Sequence, residues 1–206
     1  MGNKTVRRIC FDGMLVAMFF VLAKVTLKIP PNIHLAFSGI TVIFATLYFG
    51  LGDGLIVAAL GEGLIQLTSS YGITPTTPLW IIPPVVRALI LGAFVLPLKK
   101  KGEHLEKHLV LYSIAIALST LVVTGLNAAV EWLDGIIMGY STAYLAAVIG
   151  WRFLSSALAG AVMGSVAVPL LKAIRAVRPD EDKRYQESTE NVEALKENLE
   201  ADADKD

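Results

Sequence analysis

The sequence has 206 residues, of which 54% are hydrophobic and 17% are charged, and its mean hydropathy is +0.60. Soluble domains average about a quarter charged residues, so this composition is typical of a chain that lies mostly in lipid. The zero net charge conceals an uneven distribution: residues 180–206 carry eleven acidic and four basic side chains, and residues 1–179 carry seven and fourteen. A basic body with an acidic end gives no indication of nucleic-acid binding.

The N-terminal segment is basic and runs into an apolar stretch. Lys4, Arg7 and Arg8 precede this stretch, and no small-residue cleavage site follows it. We therefore interpret the stretch as a first membrane span and not as a signal peptide. The single cysteine, Cys10, excludes an intramolecular disulfide and a cysteine-based metal cluster.

Six apolar segments have about the length that a membrane span requires. In chain order they cover roughly residues 9–26, 34–50, 53–70, 80–98, 109–133 and 143–173. The breaks between them include a Pro-Pro pair at 30–31 and a glycine-rich turn at 50–54, where Asp53 is a candidate helix N-cap. The predicted fold is an all-α integral membrane bundle of six transmembrane helices. Five spans would result if 34–50 and 53–70 formed a re-entrant pair.

The basic residues predict the orientation of the bundle. One flank holds only Lys24 and Lys28, and the other holds ten basic residues near the N-terminus, around residue 100 and near residue 175. We therefore expect a multi-pass protein of the plasma membrane with both termini in the cytoplasm. Residues 1–178 form the predicted transmembrane substrate-binding domain, and residues 179–206 form an acidic tail whose charge predicts disorder. The outward connections are 27–33, 71–79 and 134–142.

Ionisable residues inside a bilayer are costly and are functional candidates by default. The spans contain Glu62, Arg87, Glu131 and Arg152, and Gln66 and Asn127 lie one helical turn from the two glutamates. In the predicted topology all of them lie in the outer halves of their spans, at the level of His34, Trp80 and Trp132. This asymmetry predicts a ligand pocket open to the outside, whereas a channel would carry polar residues along its whole length.

Plainer interpretations of the same residues stay open. Glu62 with Arg87, or Glu131 with Arg152, would also serve as structural ion pairs between helices. Trp and Tyr at the outer boundary are typical of an aromatic belt, and His34 beside a proline loop fits an interfacial residue better than a metal ligand. No catalytic motif, nucleotide-binding loop or metal-ligand pattern is present, so we predict neither an enzyme nor a cofactor.

Residues 6–177 resemble the S components of energy-coupling factor (ECF) transporters, the membrane subunits that bind vitamins. The resemblance depends on the six spans, on the small-residue first helix with Gly13 and Ala17, and on several stretches, which are IHLAFSGI (33–40), LYFGLGDG (47–54), GEGLIQ (61–66), PLWIIPPVVR (78–87), LNAA (126–129) and WR (151–152). It implies that the chain binds its vitamin from outside under a lid at 27–33. It also implies that Gly13 and Ala17, in place of two alanines four apart, dock on a transmembrane T component driven by two cytoplasmic ATPases.

The sequence thus predicts a vitamin-binding S component. The predicted substrate-binding residues are Glu62, Gln66, Trp80, Arg87, Asn127, Glu131, Trp132, Arg152 and His34. Arg87 or Arg152 would pair with a carboxylate or phosphate, and Glu62 with Gln66 would accept from donors on a heterocycle. Folate is the favoured vitamin because it carries both a ring and carboxylates. The alternatives are a standalone secondary carrier and a structural or regulatory membrane protein.

Overall fold

A computed structural model of the chain describes residues 2–25, 27–29, 33–35, 37–69, 73, 75–99, 101 and 103–177. Within these residues it contains six α-helices and one short antiparallel hairpin. The helices are α1 (Gly2–Lys24), α2 (Gly39–Tyr48), α3 (Leu51–Leu67), α4 (Ile82–Lys99), α5 (Leu109–Met138) and α6 (Thr142–Val177). The hairpin pairs β1 (Leu27–Ile29) with β2 (Ile33–Leu35), and two 3-10 turns cover Thr77–Ile81 and Leu105–Lys107. The tail predicted at 179–206 lies outside the described residues.

The short helix α2 is the centre of the bundle. It contacts α1, α3, α4 and α6, and residues 41–47 are all buried. A helix that is apolar on every side is stable only when it is covered on every side, which explains why ten residues without a charged side chain occupy this position. The remaining helices complete the bundle around it, with α3 against α4, α4 against α5 and α5 against α6.

Local sequence signals explain the helix boundaries. Pro83 and Pro84 occupy the first turn of α4, where their missing N–H groups cost nothing. The turn between α2 and α3 places Gly50 at φ +120°, and α5 ends at Gly139 in the left-handed conformation (φ +74°) that favours glycine. Asp53 does not cap α3 as the sequence had indicated: Gly50 is the N-cap, and Asp53 follows in the first turn.

The two ends of the bundle differ in composition. One end, called here the hairpin end, contains the β1–β2 hairpin packed on α6 and the contact of Lys24 Nζ with the Thr68 carbonyl (3.3 Å). The 3-10 turn Thr77–Ile81, called here the Trp80 turn, lies at the same end. Thr76 joins this turn to α5, since its hydroxyl donates to Asp134 Oδ1 over 2.5 Å. At the opposite end, called here the N-terminal end, Arg8 of α1 meets Asp53 of α3.

Three segments are long and apolar enough to cross a membrane, namely Thr77–Lys99, Leu109–Met138 and Leu145–Ala176. The second predicted span is shorter than expected, because β2 occupies 33–35 and α2 begins only at Gly39. The all-helical class is confirmed apart from the six-residue hairpin. Six membrane crossings and the orientation of the termini stay predictions.

Candidate functional site

A polar cavity of about 240 Å³ lies in the hairpin half of the bundle. Residues from all six helices and from the Trp80 turn line it: Phe19, Ser38, Gly39, Glu62, Trp80, Pro83, Pro84, Arg87, Val123, Asn127, Arg152, Ser155, Ser156, Ala159 and Met163. Small-ligand sites are concave and furnished with a few convergent polar groups. This cavity has that character, and charged side chains reach it from α3, α4 and α6.

Arg87 is the cavity residue whose charge is least compensated. Its Nε atom is buried, and within the described part of the chain Arg87 has neither a hydrogen-bond nor an ion-pair partner. The guanidinium lies against the first residue of α2, because a Cβ atom added to Gly39 would overlap Arg87 Nη1. Glycine at position 39 therefore leaves the space that the arginine occupies. A guanidinium with a buried N–H that lacks a partner is costly, so the donors of this group that reach the cavity are available for a ligand acceptor.

Glu62 contributes the acidic group of the cavity. Gln66 follows it by one turn on α3, and its Nε2 donates to Glu62 Oε1 over 2.7 Å. This bond fixes the carboxylate and leaves Oε2 without a bond from Gln66. The sequence had left open an ion pair between Glu62 and Arg87. That interpretation is wrong for the described residues, where Glu62 bonds Gln66 and Arg87 bonds no side chain.

Arg152, in contrast, is held by three neighbours. Its Nη1 lies 2.8 Å from Glu131 Oε2, a contact of opposite charges, and 3.3 Å from the backbone oxygen of Asn127. Its guanidinium carbon lies 5.6 Å from the centre of the Trp80 ring, within the range of a cation–π contact. The alternative of a structural ion pair between Glu131 and Arg152 therefore describes a contact that exists. This pair also fixes the position of Trp80 at the cavity.

The structure brings together five of the nine predicted substrate-binding residues. Glu62, Trp80, Arg87, Asn127 and Arg152 line the cavity, and Gln66 and Glu131 lie behind it, each bonded to a lining residue. Trp132 does not join them: it is 38% exposed on α5 and does not line the cavity. His34 belongs to β2, in register with Lys28, and its side chain lies outside the described part of the structure.

Several lining residues had not been anticipated. Ser155 and Ser156 follow Arg152 by three and four positions on α6, so they share its helix face. That spacing is a signal which the sequence contains, although serines are frequent in membrane helices and are seldom diagnostic. Phe19 and Met163 carry no polar signal and were not distinguishable from ordinary core residues.

A second and larger groove of about 700 Å³ runs between α5 and α6. Its lining is predominantly apolar, and both helices contain segments long enough to cross a membrane. Lipid chains would cover such a surface. The smaller cavity is therefore the better candidate for a water-soluble ligand, since charged groups converge only there among the described pockets.

The exposed face of α1 carries the small-residue pair that the sequence had singled out. Gly13 and Ala17 are both exposed, and a Cβ added to Gly13 would meet nothing within 4 Å. The opposite face, with Val16 and Phe19, packs into the core. This face of α1 is therefore open to a neighbouring helix.

A charge cluster lies at the N-terminal end, away from the cavity. Arg8 binds Asp53 through two nitrogens, with Nε 2.5 Å from Oδ1 and Nη2 against Oδ2. Hydrogen bonding to Asp53 raises the pKa of Arg8. Asp53 is only 2% exposed and so depends on Arg8 for its neutralisation.

Two comparisons with known proteins found a match, one to a family model and one to the fold of a solved structure. Residues 3–176 match the family model described as ECF-type riboflavin transporter, S component. The fold is similar to a solved structure described as "Structure and mechanism of the S component of a bacterial ECF transporter", with a TM-score of 0.59 and 24% sequence identity over 84% of this chain and 98% of that one. No curated protein matches the sequence significantly.

Proposed function

Since this chain belongs to the family of ECF-type riboflavin transporter S components, we propose that it binds riboflavin outside the cell and delivers it for uptake. The observation that carries the proposal is the cavity in the hairpin half, where Arg87, Glu62 and Trp80 converge from three different elements. The binding residues proposed here are those that line the cavity, with Gln66 and Glu131 as their supports. We do not include Trp132.

Riboflavin replaces folate as the favoured vitamin for two reasons. The family model that matches the chain is described by riboflavin, and the cavity of about 240 Å³ lies just below the roughly 300–1,000 Å³ typical of small-ligand sites. A cavity of this size suits the smaller of the two vitamins. Folate also brings two carboxylates, and one of the two arginines is already neutralised by Glu131.

The proposal includes the membrane arrangement predicted from the sequence. The six predicted spans cross the plasma membrane, both termini lie in the cytoplasm, and the hairpin end faces outward. The basic residues support this orientation, because the sequence predicts ten of the twelve flanking ones on the cytoplasmic side. The cavity then opens toward the side from which a vitamin arrives.

The proposed partners are a transmembrane T component and two cytoplasmic ATPases. The chain has no nucleotide-binding loop, so the energy for uptake against a gradient would come from these partners. We assign the docking surface to the exposed face of α1, where Gly13 and Ala17 permit close approach of another helix.

Ligand identification tests the proposal directly. The protein would be purified in detergent from cells grown in rich medium, then denatured, and the released small molecules would be identified by absorbance and mass spectrometry. We expect riboflavin at near one molecule per chain. The Arg87→Ala variant should lack it, and Lys172→Ala, which removes an exposed positive charge near the other end of α6, should retain it.

Two results would contradict the proposal. Absence of bound riboflavin together with no thermal stabilisation by added riboflavin would exclude flavin binding. Uptake by proteoliposomes that contain this chain alone, abolished by an uncoupler, would identify a standalone secondary carrier.

A further inference from the structure

The two arginines of the cavity have different electrostatic surroundings. Arg152 is compensated by Glu131, by the Asn127 carbonyl and by the Trp80 ring. Arg87 has no such partner within the described residues. A guanidinium carries five N–H donors in a planar fork and accepts nothing. Arg87 therefore presents unused donors to a ligand, whereas Arg152 presents few.

Glu62 offers the complementary group in the same cavity. An ionised carboxylate only accepts hydrogen bonds and has room for about four. Gln66 occupies Oε1 from one side at 2.7 Å, so Oε2 is left for a donor on the ligand. Both residues line a cavity of only about 240 Å³. One small ring is therefore able to meet Arg87 and Glu62 together.

From this juxtaposition we propose that Arg87 and Glu62 jointly bind the edge of a heterocycle on which a ring N–H lies beside a carbonyl. Glu62 accepts from the N–H, and Arg87 donates to the carbonyl. The inference depends on the proposed function, and in riboflavin the edge is that of N3–H with its flanking C2 and C4 carbonyls. The pterin ring of folate shares the chemistry, since its N3–H also lies beside a carbonyl.

The assignment gives Arg152 a positioning role. Neutralised by Glu131, it fixes Trp80, whose ring lines the cavity and supplies an apolar surface for the bound ring. Loss of Arg152 should then weaken the binding of every ring-bearing ligand by a similar factor. Loss of Glu62 should instead affect only those ligands that possess the ring N–H.

The test compares riboflavin with N3-methylriboflavin, in which a methyl group replaces the one hydrogen that Glu62 is proposed to bind. The readout is the ratio of the two dissociation constants, measured by quenching of flavin fluorescence on the full chain in detergent. A hydrogen bond to a charged group contributes substantially to the free energy of binding. We therefore expect the methyl derivative to bind at least about 10-fold more weakly than riboflavin to the unaltered protein. This measurement needs no variant that has to fold.

Variants then assign the discrimination to one residue. Glu62→Gln should reduce the ratio several-fold, and Arg152→Lys should weaken both flavins while leaving the ratio unchanged. Lys172→Gln serves as the control for loss of a charge outside the cavity. A ratio near one in the unaltered protein, or a ratio that Glu62→Gln leaves unchanged, would overturn the inference.

Folate distinguishes failure of the inference from failure of the proposed function. If folate binds and riboflavin does not, the flavin function is wrong. The edge inference then stands only if N3-methylation of folate weakens binding in the same way and Glu62→Gln removes that effect. Riboflavin bound with a ratio near one would refute the edge inference and leave the function intact. Binding of neither vitamin would refute both.

Discussion

Removal of Arg8 should destabilise the bundle by more than its exposed position indicates. Arg8 is 58% exposed, but its partner Asp53 is 2% exposed and receives two bonds from the guanidinium. In Arg8→Met the Asp53 carboxylate would remain in the interior without its cation. A second carboxylate, Asp12, is buried beside it at 8% exposure and would repel it.

The expected size of the effect follows from the two exposures. Removal of one partner from a fully buried pair costs roughly 3–5 kcal/mol, and exposed pairs contribute roughly 0.2–1 kcal/mol. Water able to reach the site vacated by Arg8 would hydrate Asp53 in part, so we expect an intermediate cost of about 2–3 kcal/mol. For a chain of this length, that cost corresponds to a fall in Tm of roughly 4–12 °C.

Thermal unfolding of the ligand-free protein in detergent measures the effect, with Lys172→Met as the control for loss of an exposed positive charge. The double variant Arg8→Met with Asp53→Asn should recover part of the loss, because no unpaired charge remains at position 53. An Arg8→Met variant that unfolds at the same temperature as the unaltered protein would refute the reasoning. So would a double variant whose loss equals the two single losses added.

Two further predictions follow from the described contacts. Gly39→Ala should displace Arg87 and thereby weaken riboflavin binding at least about 10-fold. Gly63→Ala is the control, because a Cβ added there meets nothing within 4 Å, and it should leave the riboflavin affinity measured by titration unchanged. Thr76→Val removes the hydrogen bond to Asp134. It should lower the free energy of unfolding by about 0.5–1.5 kcal/mol and increase the rate of riboflavin dissociation in stopped-flow measurements.

The helices were predictable from the sequence because their apolar segments are long and their breaks are chemically strong. Pro83 and Pro84 fix the start of α4, and Gly139 fixes the end of α5. Hydropathy did not indicate that the second helix begins only at Gly39. Ile33 and Leu35 are as apolar in a strand as in a span, so β2 and the shortened α2 become visible only in three dimensions.

The site was predictable in part, because charged residues are easily recognised within apolar segments. Arg87 and Glu62 were identifiable for that reason. The sequence could not state which charges pair, since Glu62 bonds to its own helix and Arg152 crosses to α5. Trp132 does not line the cavity, for a geometric reason. It follows Glu131 by one residue, and a rotation of about 100° per residue directs it away from the face that Glu131 occupies.

The packing of the bundle bears on how the proposed ligand would be released. Between the cavity and the N-terminal end the interior is filled, with Ile43, Leu91 and Leu171 each at most 2% exposed. At Gly92 the packing is so close that an added Cβ would meet Leu51 at 2.6 Å. The described residues thus offer no polar route from the cavity to the N-terminal end, and a water-soluble vitamin does not cross a packed apolar core. Release on that side requires the bundle to open or to reorient as a whole, a movement that the proposed T component and ATPases would drive.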